Sequence, residues 1–275
     1  MIHRIKRLTL LSLLILSYLL FSYNYFNGWW YSSIGTILVL IFSYLIWKND
    51  FLKHIGLQLN VKRIVSSFLL AAVITICSAL IMRYIAGKHD VIINPSTWHN
   101  YYHDVFYILN EEIVIGAMLL FGLVHKKKIR PLVASVGLAV FFALIHFVFY
   151  KWIFLDRGII GIVTLTTLFM VGFVRNSLIL MTGHIGYSWA LHYGWMIVMM
   201  GSIHTYMDTE LWVTESEKFN MYLGSFEMLI ISATMAVLTG IYWFKRPGLR
   251  PLIGNHNHEV TNEKDFPDLF RRDLI

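Results

Sequence analysis

Long apolar runs recur along most of the chain, and they limit what it can fold into more than any other feature. Each run approaches the roughly 20 residues that an α-helix needs to cross a bilayer core. Only 14% of the 275 residues are charged, whereas soluble domains carry about 25%. The sequence therefore predicts an all-α, polytopic membrane protein with about eight transmembrane helices. The predicted spans are residues 8–23, 29–47, 64–85, 105–124, 131–150, 158–174, 178–203 and 222–244.

Lysine and arginine are distributed unevenly between the predicted loops. If the N-terminus is cytoplasmic, the inner segments hold 18 of the 23 basic residues, and the outer loop 205–221 is acidic. This asymmetry follows the positive-inside rule and predicts a multi-pass protein of the cell membrane with both termini in the cytoplasm. The formal charge of +7 then favours the anionic headgroups of the lipid bilayer as a partner and argues against nucleic acid.

The first span follows a short basic segment. Arg4, Lys6 and Arg7 precede the apolar run from Leu8 to Phe21, a pattern that a secretory signal peptide would also show. No A-x-A-like cleavage site follows, so the run is predicted to remain as the first helix. The single cysteine, Cys77, excludes an intramolecular disulfide and a multi-cysteine metal cluster.

Two adjacent carboxylates, Glu111 and Glu112, lie inside the fourth predicted span. A charged side chain at the centre of a bilayer costs about 2.5–3.5 kcal/mol on insertion scales, so intramembrane carboxylates are functional candidates by default. Adjacent helical residues point about 100° apart. We therefore expect one carboxylate to face a reactive site and the other to face a structural partner.

Two histidines occupy comparable depths in other spans. His146 lies in the fifth span and His192 in the seventh. From the helical rise of about 1.5 Å per residue, Glu111, His146 and His192 lie about 9, 6 and 17 Å from the outer ends of their spans. The three helices are therefore expected to bring these side chains to one site in the outer half of the bilayer. By contrast, His184 is expected at the inner membrane interface, and Phe142, Phe169, Trp189 and Trp195 are expected to serve as packing or interface aromatics.

This set of side chains is compatible with more than one chemistry. A buried carboxylate beside a histidine can act as a general base, and a second histidine can donate a hydrogen bond to a developing oxyanion. Alternatively, Glu111, His146 and His192 could hold a divalent metal such as zinc with one open coordination position. Intramembrane carboxylates and histidines also form proton relays in transporters, but clear internal repeats are absent from the sequence.

The order and spacing of these residues resemble the CAAX-protease and bacteriocin-processing (CPBP) family of intramembrane proteases. The first family motif, EExxxR, resembles the segment 111–116; the second, FxxxH, matches Phe142 and His146; and the third, HxxxN, begins at His192. The resemblance implies hydrolysis of a peptide bond in a membrane-associated peptide or protein, by a metal-dependent or a metal-free mechanism. It also implies that Glu111 activates the water, His146 assists it, and His192 helps to stabilise the oxyanion.

On this basis the chain is divided into four parts. Residues 1–104 contain the first three helices, 105–204 form a CAAX-protease-like core of helices four to seven, 205–246 contain an outer loop and the eighth helix, and 247–275 form a polar cytoplasmic tail. The tail histidines His256 and His258 are interpreted as part of a solvated loop.

The sequence departs from the family motifs at two positions. Gly116 stands where the first motif has arginine, which is expected to leave Glu112 without a neutralising cation four residues away. Met196 stands where the third motif has asparagine, and a thioether cannot donate a hydrogen bond to an oxyanion; the indole of Trp195 is a candidate substitute. The alternative hypothesis is therefore a catalytically impaired protein that acts in bacteriocin immunity or as a partner of a secretion system.

Overall fold

The computed structural model of the chain is a bundle of α-helices. It describes residues 2–22, 28–58, 60–88, 94–95, 98–149, 159–196, 203–204 and 223–245. The helices are α1 (Ile2–Ser22), α2 (Tyr31–Trp47), α3 (Phe51–His54), α4 (Val61–Lys88), α5 (Trp98–Lys126), α6 (Pro131–Phe149), α7 (Ile159–Thr182), α8 (Gly186–Met196) and α9 (Phe226–Lys245). Within the described residues, the only strands are β1 (Asn94–Pro95) and β2 (Ile203–His204), which pair antiparallel.

The all-α membrane fold predicted from the apolar runs is confirmed, and each predicted span overlaps a helix other than the short α3. Five helical segments are long and apolar enough to cross a membrane, namely Tyr31–His54, Val61–Lys88, Trp98–Lys126, Gly161–Thr182 and Phe226–Lys245. The apolar part of α6, Pro131–His146, is shorter, and α8 has only 11 residues. The count of eight membrane crossings therefore stays a prediction.

Helix α5 lies at the centre of the bundle. In its most apolar stretch 67% of the residues are buried, against 17% for α4 and for α9. It packs against α1, α2, α7 and α8, while α7 also packs against α6 and α9. Polar side chains on α5 and α7 therefore meet other side chains rather than lipid, and α4 and α9 present most of their apolar surface outwards.

The geometry of α5 changes where the two carboxylates lie. The helix is α-helical over Trp98–Glu111, becomes π-helical over Glu112–Met118, and contains a second π-helical segment over Gly122–Lys126. Such π-helical turns are rare in proteins and occur often at functional sites. The change in helical geometry therefore marks the position of the acidic pair within the bundle.

The boundary between the sixth and seventh spans differs from the prediction. The sequence places an inner loop at residues 175–177, but Arg175, Asn176 and Ser177 are buried residues within α7. The helix continues to Thr182 and ends where Gly183 adopts a φ of +64°, with the Gly183 amide donating to Ile179 O at 2.8 Å. A left-handed glycine is a common helix terminator, so the chain turns about two helical turns later than predicted.

A layer of small polar side chains joins α7 to its neighbours. Asn176 donates to Ser135 O on α6 at 3.0 Å, the hydroxyls of Ser135 and Ser177 lie 3.1 Å apart, and Trp243 Nε1 on α9 donates to Ser177 Oγ at 2.9 Å. Hydrogen bonds of this kind stabilise helix pairs in a medium without water. These bonds fix the position of α7, and with it the position of Arg175.

Candidate functional site

Both carboxylates of the acidic pair are buried inside the bundle. Glu111 is 2% exposed and Glu112 is 0% exposed. Neither side chain faces the lipid, so each needs compensation for the loss of water. The contacts made by the two carboxylates show how they differ.

Arg175 on α7 supplies a cation to the pair. Its Nε lies 2.5 Å from Glu112 Oε1, its Nη2 donates to Glu111 O at 3.2 Å, and its Nη1 lies 3.8 Å from Glu111 Oε1. The guanidinium also lies over the ring of Phe142, 4.7 Å from its centroid. Glu112 lacks a cation four residues away, as expected, but Arg175 of another helix supplies one.

Gly116 provides the space for this contact. A Cβ at position 116 would lie 3.3 Å from Arg175 Nη2, 3.3 Å from Glu112 Oε2 and 2.9 Å from Ile179 Cδ1. A larger residue would therefore displace the guanidinium or the helix that carries it. Glycine at position 116 removes the motif arginine, but it also leaves room for the Arg175 side chain of α7 beside the acidic pair.

Both carboxylates lie next to Arg175, although α-helical geometry predicts that adjacent residues point in different directions. Two features of the chain allow this. The arginine side chain is long enough to lie between the carboxylates, and the helix leaves α-helical geometry at Glu112, so the angle assumed for adjacent residues does not apply beyond that point. The difference between the two is in their hydrogen bonds. Glu112 Oε1 accepts bonds from Arg175 and His192, whereas Glu111 Oε1 and Glu112 Oε2 have no hydrogen-bond partner in the described part of the chain.

His192 on α8 is the second partner of Glu112. Its Nδ1 donates to Glu112 Oε1 at 2.9 Å, and the residue is 5% exposed. With Nδ1 carrying a proton, Nε2 can donate to a further group only if both ring nitrogens are protonated. Glu112 Oε1 thus joins Arg175 of α7 to His192 of α8, and its contacts fix the carboxylate in place.

His146 on α6 contacts Phe142 of the same helix. Its Nδ1 donates to Phe142 O at 2.7 Å, and its ring packs against the edge of the Phe142 ring with centroids 4.6 Å apart. The Phe142 ring also contacts His192, with centroids 5.8 Å apart. Electrostatic interactions link His146 to Glu111, His192 and Arg175. Phe142 is therefore more than a packing aromatic, because its ring contacts both histidines and the Arg175 guanidinium lies over its face.

The arrangement does not fit a zinc ion on Glu111, His146 and His192. Within the described residues, no three side chains of His, Cys, Asp or Glu lie close enough together to bind a metal ion. Because Nδ1 of His192 bonds Glu112 and Nδ1 of His146 bonds Phe142 O, each ring could reach a metal only through Nε2.

Other predicted residues have less direct roles. His184 is buried in the turn between α7 and α8, where its Nδ1 accepts from the Gly186 amide and its Nε2 donates to Gln58 O; its position at the membrane interface stays a prediction. Trp195 is buried in the apolar core, and Trp189 Nε1 donates to Val105 O at 3.3 Å. The tail residues His256 and His258 lie outside the described residues.

Sequence reasoning missed two buried charged residues, Arg175 and Asp104. Arg175 was assigned to a loop because it is followed by two polar residues, and Asp104 fell just outside the predicted fourth span, which begins seven residues later than α5. The signal for Arg175 was the apolar run on both sides of it, without a proline or glycine that would mark a loop at that point.

No protein-family model, no curated protein and no solved structure matches the chain.

Proposed function

We propose that the protein is an intramembrane endopeptidase that hydrolyses a peptide bond in a membrane-associated peptide or protein. One observation carries this proposal. Two buried carboxylates share one guanidinium, and within the described residues Glu112 is held by bonds from Arg175 and His192 to Oε1, whereas Glu111 Oε1, like Glu112 Oε2, accepts none. A fixed carboxylate beside one that can still accept a proton is an arrangement suited to general-base catalysis.

The proposed mechanism gives each residue a distinct role. Glu111 accepts a proton from water, and the resulting hydroxide attacks the carbonyl carbon of the scissile peptide bond. The proton then passes to the leaving amine, with His146 assisting the transfer. His192 donates to the oxyanion from Nε2, which requires both of its ring nitrogens to carry protons. Glu112 holds His192 in orientation through the 2.9 Å bond to Nδ1.

Arg175 acts on this chemistry through position and charge. It holds Glu112 through Nε and the backbone of Glu111 through Nη2, so that the acidic pair has a defined geometry. Its positive charge also allows two carboxylates to lie side by side in an apolar bundle. Since Gly116 leaves room for it, Arg175 replaces the cation that the EExxxR motif would place on the same helix.

A second candidate function is a catalytically impaired membrane protein that confers bacteriocin immunity or assists a secretion system. The observation that favours it is Met196, where the family motif has an amide that can donate to an oxyanion. Removal of one oxyanion donor typically reduces the rate by about 10²–10³. Trp195, the candidate substitute, lies in the same apolar cluster as Phe142.

Orientation in the membrane belongs to the same proposal. The distribution of lysine and arginine favours a cell-membrane location with both termini in the cytoplasm. The acidic pair would then be reached from the outer half of the bilayer.

The experiment is a cleavage assay on purified protein reconstituted in lipid nanodiscs. Fluorogenic peptides of about 20 apolar residues serve as substrates. We expect wild-type protein to cleave a subset of them, Glu111→Gln to abolish cleavage, and the matched control Glu227→Gln, which changes a carboxylate on α9 outside the site, to retain it. Cleavage by the Glu111→Gln variant at the wild-type rate would contradict the mechanism. Absence of cleavage by wild type, together with an unchanged cellular phenotype of Glu111→Gln, would favour the non-catalytic function.

A further inference from the structure

Asp104 is a buried carboxylate that the proposed mechanism does not use. It lies on α5 and is 7% exposed, and within the described part of the chain its only hydrogen-bonding contact is from His103 Nδ1 to Oδ1 at 3.4 Å. Within the described residues, Asp104 Oδ2 and His103 Nε2 are both buried without a hydrogen-bond partner. Buried polar atoms in proteins normally have partners, so this pair of atoms indicates a group that the described chain does not supply.

The balance of buried charge points to the sign of that group. Among the described residues three carboxylates are buried, but the buried guanidinium of Arg175 pairs with Glu111 and Glu112 and not with Asp104, whose ion-pair contact is the His103 imidazole at 3.4 Å. A carboxylate taken out of water without a counter-charge is strongly unfavourable. The missing group is therefore expected to be a cation.

The position of Asp104 places it next to the candidate site. It lies seven residues before Glu111 on the α-helical part of α5, so the two residues share one face of the helix, about 10 Å apart along the axis. Asp104 also interacts electrostatically with His192 and with Tyr193 of α8. A ligand that extends along α5 from Glu111 towards Trp98 would thus reach Asp104.

We propose that Asp104 binds a basic side chain of the substrate, about three residues from the scissile bond. An extended peptide advances about 3.3 Å per residue, so the distance of about 10 Å from Glu111 corresponds to three residues. The carboxylate of Asp104 would accept hydrogen bonds from a lysine ammonium or an arginine guanidinium, and the ring of Tyr193 would lie close to the same cation. The assignment of the ligand as a peptide rests on the proposed function, but the preference for a cation rests on Asp104.

The test is a binding measurement that does not need turnover. The Glu111→Gln protein in nanodiscs is titrated with fluorescent apolar peptides of about 20 residues that are identical except for one position, which is lysine, norleucine or glutamate. We expect the lysine peptide to bind about 10- to 100-fold more tightly than the norleucine peptide, which is the usual range for a hydrogen bond to a charged group. Adding Asp104→Asn, which keeps the shape of the side chain, should remove this preference, whereas Asp50→Asn on the exposed surface should keep it.

Two further outcomes separate this proposal from the proposed function. Charge reversal by Asp104→Arg should shift the preference to the glutamate peptide. Equal affinity for lysine and norleucine, binding of none of the peptides, or a lysine preference that survives Asp104→Asn would each overturn the role of Asp104. A lysine preference that depends on Asp104, in a protein that cleaves nothing, would leave the cation site in place and contradict only the endopeptidase.

Discussion

The two adjacent glutamates differ because of the residues that surround them. Glu112 accepts from Arg175 and His192, so its charge and orientation are both fixed. Glu111 contributes its backbone carbonyl to the same arginine, and its Oε1, like Glu112 Oε2, has no hydrogen-bond partner in the described chain. At the scale of single residues, hydrogen bonding and not sequence position separates a structural carboxylate from a candidate base.

His184 shows a similar dependence on its hydrogen bonds, at a position outside the membrane-spanning segments. Its Nδ1 accepts from the Gly186 amide at 2.8 Å, so a proton on this nitrogen would face another donor. Burial, together with the positive charge of Arg63 nearby, lowers the pKa of His184 below its ordinary value of 6.5. The neutral ring is therefore the form that holds the turn between α7 and α8.

We predict that acidification below about pH 6.5 destabilises the folded protein partly through His184. The unfolded chain takes up a proton at the ordinary pKa, while the folded chain resists it, so stability is complete above that pH and declines as the pH falls towards the lowered value. The measurement is the unfolding temperature in detergent between neutral and mildly acidic pH. In the His184→Asn variant, whose amide oxygen can accept from the Gly186 amide without titrating, the decline should be shallower. An identical decline in both proteins would show that His184 is not responsible.

At the scale of the elements, α5 and α7 form the site together. Each helix contributes half of an ion-pair cluster, and Gly116 of α5 sets how closely α7 can approach. The contact has a consequence for substitutions at both positions, since an arginine side chain at position 116 would enter the space that the Arg175 guanidinium occupies.

We predict that Gly116→Arg and Arg175→Ala compensate each other. Gly116→Arg alone overpacks the contact with Ile179 and adds a second cation, at a cost of about 1–3 kcal/mol for the overpacking. Arg175→Ala alone leaves buried carboxylates without a counter-charge, at a cost of about 3–5 kcal/mol. The double variant restores one cation to the cluster, so its free energy of unfolding should be less reduced than the sum of the single effects, by a coupling of about 0.5–3 kcal/mol. If the two substitutions change the free energy of chemical unfolding additively, an arginine at position 116 does not replace Arg175 and the prediction is wrong.

The polar layer that positions α7 gives a second prediction at this scale. Ser177→Ala removes the acceptor of Trp243 Nε1 and the partner of the Ser135 hydroxyl. Hydrogen bonds between membrane helices contribute about 0.6 kcal/mol each, and about 1.7 kcal/mol at most. We expect a loss of stability in this range for Ser177→Ala, measured by unfolding in mixed micelles. The control Thr234→Ala removes only a bond to Ile230 O within the same helix, and it should change stability by less.

The sequence allowed the elements to be predicted better than the contacts between them. Hydropathy located the helices because lipid imposes an apolar surface on every span. It misplaced the break between the sixth and seventh spans because Arg175, Asn176 and Ser177 are polar, and a polar triplet resembles a loop when its partners are unknown. Those partners, Glu112, Ser135 and Trp243, are distant in the sequence. Because the position of Arg175 was unknown, Gly116 could be interpreted only as the absence of the motif arginine.

At the scale of the whole molecule, the bundle encloses charge that a membrane protein would otherwise exclude. Helix α5 is surrounded by other helices, and Asp104, Glu111 and Glu112 lie on its buried surface. Buried ionisable groups in membrane proteins usually mark substrate or ion pathways. The burial of these charges along one helix reduces the stability of the bundle, and such a loss of stability is common in functional centres.

The division of roles between the two glutamates is the central claim, and comparison of two isosteric variants tests it most directly. The measurement is the free energy of unfolding of Glu111→Gln and of Glu112→Gln in the same detergent. The account predicts a loss of about 3–5 kcal/mol for Glu112→Gln, because Arg175 and His192 lose their anionic partner, and wild-type or higher stability for Glu111→Gln, because removing its charge relieves a partly compensated carboxylate. Equal losses for the two variants, or a larger loss for Glu111→Gln, would contradict it.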